Sequence, residues 1–262
     1  MREILWISPF RLIRLVPLHS PSYEFFPTKG YNNGLQIHSK FLADALNSNL
    51  FPVMYLLTSG KVYVAANTVN MIFNWKTGAE QRLPNFPNGI RVTYPWTAAS
   101  ALLPLTVAND WTPEIMFCGG STIDDTKDAI TLSSQAVTSK QCQRMQLNTA
   151  GIAKGWQVEQ LPTKTGRVMG EMVLTPDGKV VILNGANTGI AGYGASTKQF
   201  QHAVLIFRLC GVQAMSAIWL VKVTLRTLHS LDWSMILSEL VKADGRTFLR
   251  PRLLECEFSP KR

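Results

Sequence analysis

Histidine, cysteine, serine and clustered carboxylates are the groups from which a reactive centre could be assembled, and in this chain they are dispersed. The four histidines are His19, His38, His202 and His229, and the four cysteines are Cys118, Cys142, Cys210 and Cys256. No Cys-x-x-Cys and no Cys/His ligand spacing joins them, so a zinc site is unsupported. Each histidine reads as a surface or loop residue. Ser121 and Ser133 have no nearby histidine to act as a base, which leaves a hydrolase triad without its second member. Asp124, Asp125 and Asp128 offer three carboxylates to a cation such as calcium, but their spacing is not that of an EF-hand loop and no Glu closes it. The expectation is a solvated acidic loop. Gly185, Gly189, Gly192 and Gly194 follow a strand-like run, yet the order is not G-x-G-x-x-G and no Lys-Ser/Thr follows. Tight turns between packed sheets account for them better than a phosphate cradle.

The elements that would hold such residues alternate between strand and turn. Val53–Leu57, the turn 58–61 and Val62–Ala66 form one unit; Met172–Leu174, the turn Thr175-Pro176-Asp177-Gly178 and Lys179–Leu183 form another. Pro fixes φ at the first turn position and Gly takes the left-handed conformation, which gives the hairpin a mechanism. Between them, Ala98–Leu103 and Glu114–Cys118 flank a longer loop, Pro104–Pro113. Second strands at Val62, Ile115 and Val180 recur every 50 to 65 residues or so, a period that suits blades of a β-propeller. Asn70–Trp75, Gln143–Leu147 and Trp156–Gln160 are further outer-strand candidates. Trp75 and Trp156 there are expected to pack one blade on the next rather than serve as ligand platforms.

Composition narrows the class. At 46% hydrophobic and 16% charged over 262 residues, the chain can bury a large core and is not disordered as a whole. Its formal charge of +9 comes from 17 basic and 12 acidic residues up to Phe200 and 9 and 5 beyond it. Arg246, Arg250, Arg252, Lys261 and Arg262 are too loosely grouped to mark a nucleic-acid surface. Pro9, Arg11 and Arg14 interrupt the apolar N-terminus, so a secretion signal is not evident. His202–Val223 is the most apolar window, but Arg208 inside it would cost about 2.5–3.5 kcal/mol at mid-membrane, which disfavours a span.

Four ordered stretches, Ser20–Ser39, Asn49–Asn67, Gln81–Ser121 and Cys142–Gly194, resemble the glyoxal oxidase branch of the copper radical oxidases. The residues carrying the resemblance are Leu50-Phe51-Pro52, Arg82-Leu83-Pro84, Arg91-Val92-Thr93-Tyr94-Pro95, Leu102-Leu103-Pro104-Leu105, Cys118-Gly119-Gly120-Ser121, Gly155-Trp156, Leu183-Asn184-Gly185-Ala186 and Gly189-Ile190-Ala191-Gly192-Tyr193-Gly194. The resemblance implies an all-β fold, here a partial kelch-like β-propeller of about three blades. It also implies copper as the family's cofactor, held by two histidines and two tyrosines, one tyrosine cross-linked to a cysteine. Small aldehydes and dioxygen are the partners it implies for intact relatives, which act outside the cell. In that branch the cross-linked pair lies upstream of the segment resembling Pro21–Pro27, and the Tyr-His pair and last histidine lie downstream of the segment resembling Gly185–Gly194. This chain has no Tyr-His dipeptide, neither His19 nor His38 falls on a ligand position, and Cys118 belongs to the Cys-Gly-Gly-Ser strand end. No catalytic, cofactor-binding or metal residue is therefore carried over, and none of the copper is expected to bind. The resemblance also brings Cys118 and Cys142 near one another, either as a disulfide or as two separate buried thiols.

Three segments follow: an unmatched N-terminal 1–19, a glyoxal-oxidase-like partial propeller 20–197, and a divergent apolar and basic tail 198–262. Helix-like apolar runs appear in the tail, as at Leu228, Leu231, Met235 and Leu240 around Trp233. A shifted reading frame and a genuine helical appendage both remain open for it. A partial propeller exposes apolar sheet ends, so self-association through them is expected. The expected function is a truncated glyoxal-oxidase-like protein without activity; a non-catalytic propeller module binding protein or carbohydrate is the alternative.

Overall fold

The computed structural model describes residues 4–6, 21–26, 35–127, 131–161, 163–176, 178–191, 203–210 and 214–222. The chain divides into two compact units, Met1–Val221 and Lys222–Arg262, and all that follows concerns the first, with Lys222 as the last residue of its final strand. His19, His202, His229, Asp128, Gly192, Gly194, Cys256 and the runs around Trp233 lie outside the described residues.

Fifteen strands, two short α-helices and two 3-10 turns, Pro87–Gly89 and Val107–Asn109, are described. The strands and α-helices run β1 (Ile4–Trp6), β2 (Ser22–Phe26), β3 (Ile37–His38), α1 (Lys40–Asp44), β4 (Val53–Leu56), β5 (Val62–Ala66), β6 (Val69–Asn74), β7 (Ala79–Arg82), β8 (Ala98–Leu102), β9 (Glu114–Gly119) and β10 (Gln141–Gln146). Then come α2 (Thr149–Lys154), β11 (Gln157–Gln160), β12 (Glu171–Leu174), β13 (Lys179–Leu183), β14 (Ala203–Cys210) and β15 (Ala214–Lys222). Three sheets of four strands each follow the chain order, β4 to β7, β8 to β11 and β12 to β15, preceded by a three-stranded sheet of β1, β2 and β3. Each four-stranded sheet is one blade, and the fold is an all-β partial propeller. The first and third blades open with the same turn. Leu57 N–H donates to Lys61 O at 2.9 Å, Thr175 N–H donates to Lys179 O at 2.9 Å, and Gly60 and Gly178 both sit at φ +74°. Only glycine enters that region without a Cβ penalty.

Stacking of blades decides which residues are buried. β5 and β9 are buried along their whole length because a sheet covers each face. Between the first and second blades lie Tyr63, Ala65, Ile72, Ile115, Phe117 and Met145; between the second and third lie Met116, Cys118, Cys142, Val180 and Ile182. Each fully buried large apolar side chain contributes about 1.5–3 kcal/mol, so these two layers hold the blades together. Phe86 packs on Phe117 at 4.9 Å and on Trp156 at 4.8 Å between ring centroids, while Trp156 Nε1–H donates to Pro84 O. Trp75 donates to Gly60 O and packs against the cluster between the first blade and the β2 and α1 residues beside it, not between two blades. Both tryptophans are thus packing residues, not platforms.

Two sequence expectations change. The far side of the first blade is not open: Tyr23 and Phe25 of β2 and Phe41 and Leu42 of α1 cover Val62, Val64, Met71 and Phe73. Ser39 accepts from Leu42 N–H, and Glu80 of β7 accepts from Ser39 Oγ and Phe41 N–H, which pins the cover to the blade. Beyond Lys198 the described residues are strands rather than helix, with Val181 opposite Ile206 and Lys179 opposite Arg208. No described helix is long and apolar enough to cross a membrane.

Candidate functional site

Polar groups gather at one end of the blades, from the segments before β4 and β8, the β5–β6 turn and the β9–β10 loop. Asp125 is the hub. Its side chain is 6% exposed and accepts from Arg91 Nη2 at 2.8 Å, Ser48 Oγ at 2.9 Å, Asn67 Nδ2 at 2.8 Å and Asn47 N–H at 3.2 Å. Thr93 donates its hydroxyl to Ser48 O and accepts from Asn67 N–H. Burial pushes the Asp125 carboxyl up, but the hydrogen bonds from Arg91 and Ser48, the Arg91 charge and the Asn47 N–H outweigh it and hold the group below its ordinary value. The expected solvated acidic loop is therefore corrected at this residue: Asp125 turns inward because a guanidinium waits there. Asp124 stays exposed and caps its own turn through Thr126. The two do not converge on a cation, and among the described residues no three His, Cys, Asp or Glu side chains form a metal cluster.

A second polar group spans the middle blade. Arg144 of β10 meets Glu114 of β9 at 2.7 Å, both within the blade stack. Gln141 donates to Gln143 and to Pro87 O, and accepts from Asn88. A third is Arg167, whose guanidinium donates to Asn184 O and whose burial pulls it down to about 10. Its backbone crosses the Cys-Gly-Gly-Ser turn closely: a Cβ on Gly119 would lie 2.1 Å from Arg167 O, and Gly120 N–H donates to that oxygen at 2.9 Å. That close approach is why the turn has glycines.

The remaining sequence candidates take structural places. Cys118 and Cys142 are opposite one another on β9 and β10, and a disulfide joins them. Ser121 accepts from Ile123 N–H and Ser133 from Gln135 N–H, each closing a turn. Gly185, at φ +91°, lets Val168 O approach within 2.5 Å of where a Cβ would stand. His38 is exposed on β3. Tyr63 is buried with its hydroxyl unpartnered, and Tyr55 shares a 3.0 Å hydrogen bond with Ser100. No imidazole faces either phenol among the described residues, and both cysteines with described side chains are consumed by the disulfide. This donor set does not fit a copper centre built from histidines and a cysteine-linked tyrosine. Sequence reading missed the inward role of Asp125 and its partners Ser48 and Asn67; Arg91 and Thr93 stood within a resemblance motif but without an assigned partner.

A stack of four-stranded antiparallel blades with polar loops at one end defines a propeller-type protein. The family of the glyoxal oxidase N-terminus matches residues 11–218, and the chain belongs to that family. It is similar to the aldehyde oxidase GLOX1 of Arabidopsis thaliana, at 32% identity over 71% of this chain and 31% of that protein. It is also similar to the putative aldehyde oxidase Art an 7 of Artemisia annua, at 32% identity over 58% of this chain and 26% of that protein. The chain thus spans about a third or less of the length of these relatives. Among solved structures, a fungal alcohol oxidase in complex with copper aligns over 66% of this chain and 44% of its own, with 14% identity and a TM-score of 0.37.

Proposed function

We propose that these residues serve as blades of a glyoxal-oxidase-type propeller and that the chain does not itself oxidise aldehydes. The family reaction implied by the resemblance joins an aldehyde, dioxygen and water to give a carboxylic acid and hydrogen peroxide. It needs a copper site, and the observation that carries the proposal is the donor set: His38 is exposed and alone among the described histidines, and Cys118 and Cys142 are tied to one another. The test is to load the purified chain with copper, measure bound metal by mass spectrometry and assay peroxide with glyoxal and methylglyoxal. No stoichiometric copper and no peroxide are expected. One copper per chain together with turnover overturns the proposal.

The proposal extends to self-association through one end only. The first blade is covered by β2 and α1, whereas Val173 on the far face of the third blade is 47% exposed and its register partner Val181 is half-buried. If this is the one open face among the described residues, it pairs with itself in a second copy and closes as a two-fold dimer rather than growing into a filament.

A further inference from the structure

The connection from β9 to β10 touches both neighbouring blades. Its first arm is pinned to the first blade's side: Arg91 and Ser121 form an antiparallel bridge, and Asp125 accepts from Arg91, Ser48 and Asn67. Its second arm faces the third blade. Gly189 N–H donates to Ala136 O at 2.7 Å, Thr138 Oγ1 to Asn187 O at 2.8 Å and Arg167 N–H to Ser139 O at 3.0 Å, while Val137 bridges Thr188. The segments before β12 and after β13 therefore rest on residues 136–139, so closely that a Cβ on Gly166 would lie 2.2 Å from Thr138 O. Ser139 N–H donates to Gly120 O at 2.8 Å, and the bonded pair Cys118 and Cys142 ends the β9–β10 ladder, at the root of both arms.

The two sulfurs also belong to the layer beneath the third blade. Cys118 and Cys142 are each 1% exposed and pack with Met116, Leu161, Val180 and Ile182. Two separate thiols need more room than a bonded pair, and extra volume in a close-packed layer is disfavoured. Oxidation therefore acts on this contact twice, by drawing the sulfurs together within the layer and by tying the second arm to the first. The contact between the first and second blades involves neither cysteine: Tyr63, Ile115, Phe117 and Met145 fill it, and the Arg91–Asp125 pair pins its end.

We infer that the Cys118–Cys142 pair is a redox-dependent lock on the third blade. As a disulfide it seats the segments flanking β12 and β13 against the second blade. As two thiols it leaves that seat loose while the first and second blades stay joined. Closing the lock takes two protons and two electrons from the thiols; a disulfide oxidant receives them and leaves as two thiols, by way of a mixed disulfide. Because Val180 and Ile182 cover the sulfurs, the oxidant must act before the third blade seats, and the seated blade then shields the bond. The lock operates whether or not the chain holds copper.

The test compares the full chain, prepared with its thiols free and again after oxidation by glutathione disulfide, by hydrogen exchange read with peptide mass spectrometry. Peptides over Lys179–Leu183 and residues 186–190 are expected to exchange about tenfold faster or more in the thiol form, and peptides over Val62–Ala66 and Val69–Asn74 to stay within about twofold of the oxidised form. Iodoacetamide without denaturant should alkylate Cys118 and Cys142 in the thiol form. The double variant Cys118→Ser, Cys142→Ser is expected to exchange like the thiol form with or without oxidant; if it fails to fold, the two states of the unaltered chain decide the matter. Equal protection of the third-blade peptides in the two states overturns the inference, as do thiols that resist alkylation until urea unfolds the chain. A loss of protection spread equally over the first blade also overturns it, because the bond is then a staple of the whole unit rather than a lock on one blade.

Discussion

Removing the Asp125 carboxylate should loosen the joint between the first two blades. Asp125→Ala leaves Arg91, whose side chain is 16% exposed, without its acid and strands the Ser48 hydroxyl, while Asn67 Nδ2 loses one acceptor and keeps Ala45 O. Breaking one side of a buried ion pair costs about 3–5 kcal/mol because the remaining charge stays desolvated. For a unit of this size each kcal/mol lowers the thermal midpoint by roughly 2–4 °C, so a fall of roughly 6–20 °C is expected at pH 7. Asp125→Asn keeps the shape and some hydrogen bonds and should fall less. The pH dependence has a definite sign. The folded carboxyl sits below its ordinary 3.8, so its stabilisation is complete above that value and is lost as pH drops through the folded value. The gap between wild type and Asp125→Asn should therefore be full at pH 7 and close as pH falls below 3.8. Near-UV circular dichroism during heating, at pH 7 and at pH 3, measures it. A midpoint for Asp125→Ala within 2 °C of wild type at pH 7, or a gap that does not shrink by pH 3, would refute the reasoning.

Three further outcomes are expected. Replacing both Cys118 and Cys142 by Ser opens a loop with a sequence separation of 24, and chain-entropy bookkeeping assigns it about 3.5 kcal/mol, to be read from urea midpoints; peptide mass spectrometry without reduction should find the two residues linked. Gly119→Ala places a Cβ 2.1 Å from Arg167 O and should prevent soluble folding, whereas Gly60→Ala meets nothing within 4 Å and should cost only the roughly 1 kcal/mol of a left-handed alanine; comparative expression and melting separate them. Val173→Lys puts a charge on the open face of the third blade, and sedimentation velocity should show the dimer fraction falling at a fixed concentration; an unchanged distribution removes that face from the association.

The parts of this fold that were legible in the sequence are those fixed locally. Gly60 and Gly178 announce their turns because the required backbone conformation is open to few other residues, and the apolar runs on either side have no other stable partner than each other. β7 escaped notice because Ala79–Arg82 is a polar edge strand, exposed except at Glu80, with no alternation to read. α2 escaped because six residues capped by Asn148 and ended by Gly155 are too few to show a helical period. The polar site was hidden for a different reason. Asp124 and Asp125 are adjacent and chemically alike, and composition gives no ground for turning one inward. What separates them is Arg91, 34 residues earlier, brought to Asp125 by the antiparallel bridge between Arg91 and Ser121. The same bridge orders the loop that Ser121 begins, so the carboxylate that follows four residues later arrives already beside the guanidinium. A site made by blade stacking is specified by pairings between distant segments, and those pairings exist only once the blades have packed. The motif Arg91-Val92-Thr93-Tyr94-Pro95 is therefore intelligible as a joint: Arg91 holds Asp125, Thr93 holds Ser48 and Asn67, and the chain then turns into β8. Its residue types answer to a structural demand made by the neighbouring blade, and they would be needed there whether or not any chemistry takes place at the propeller's end.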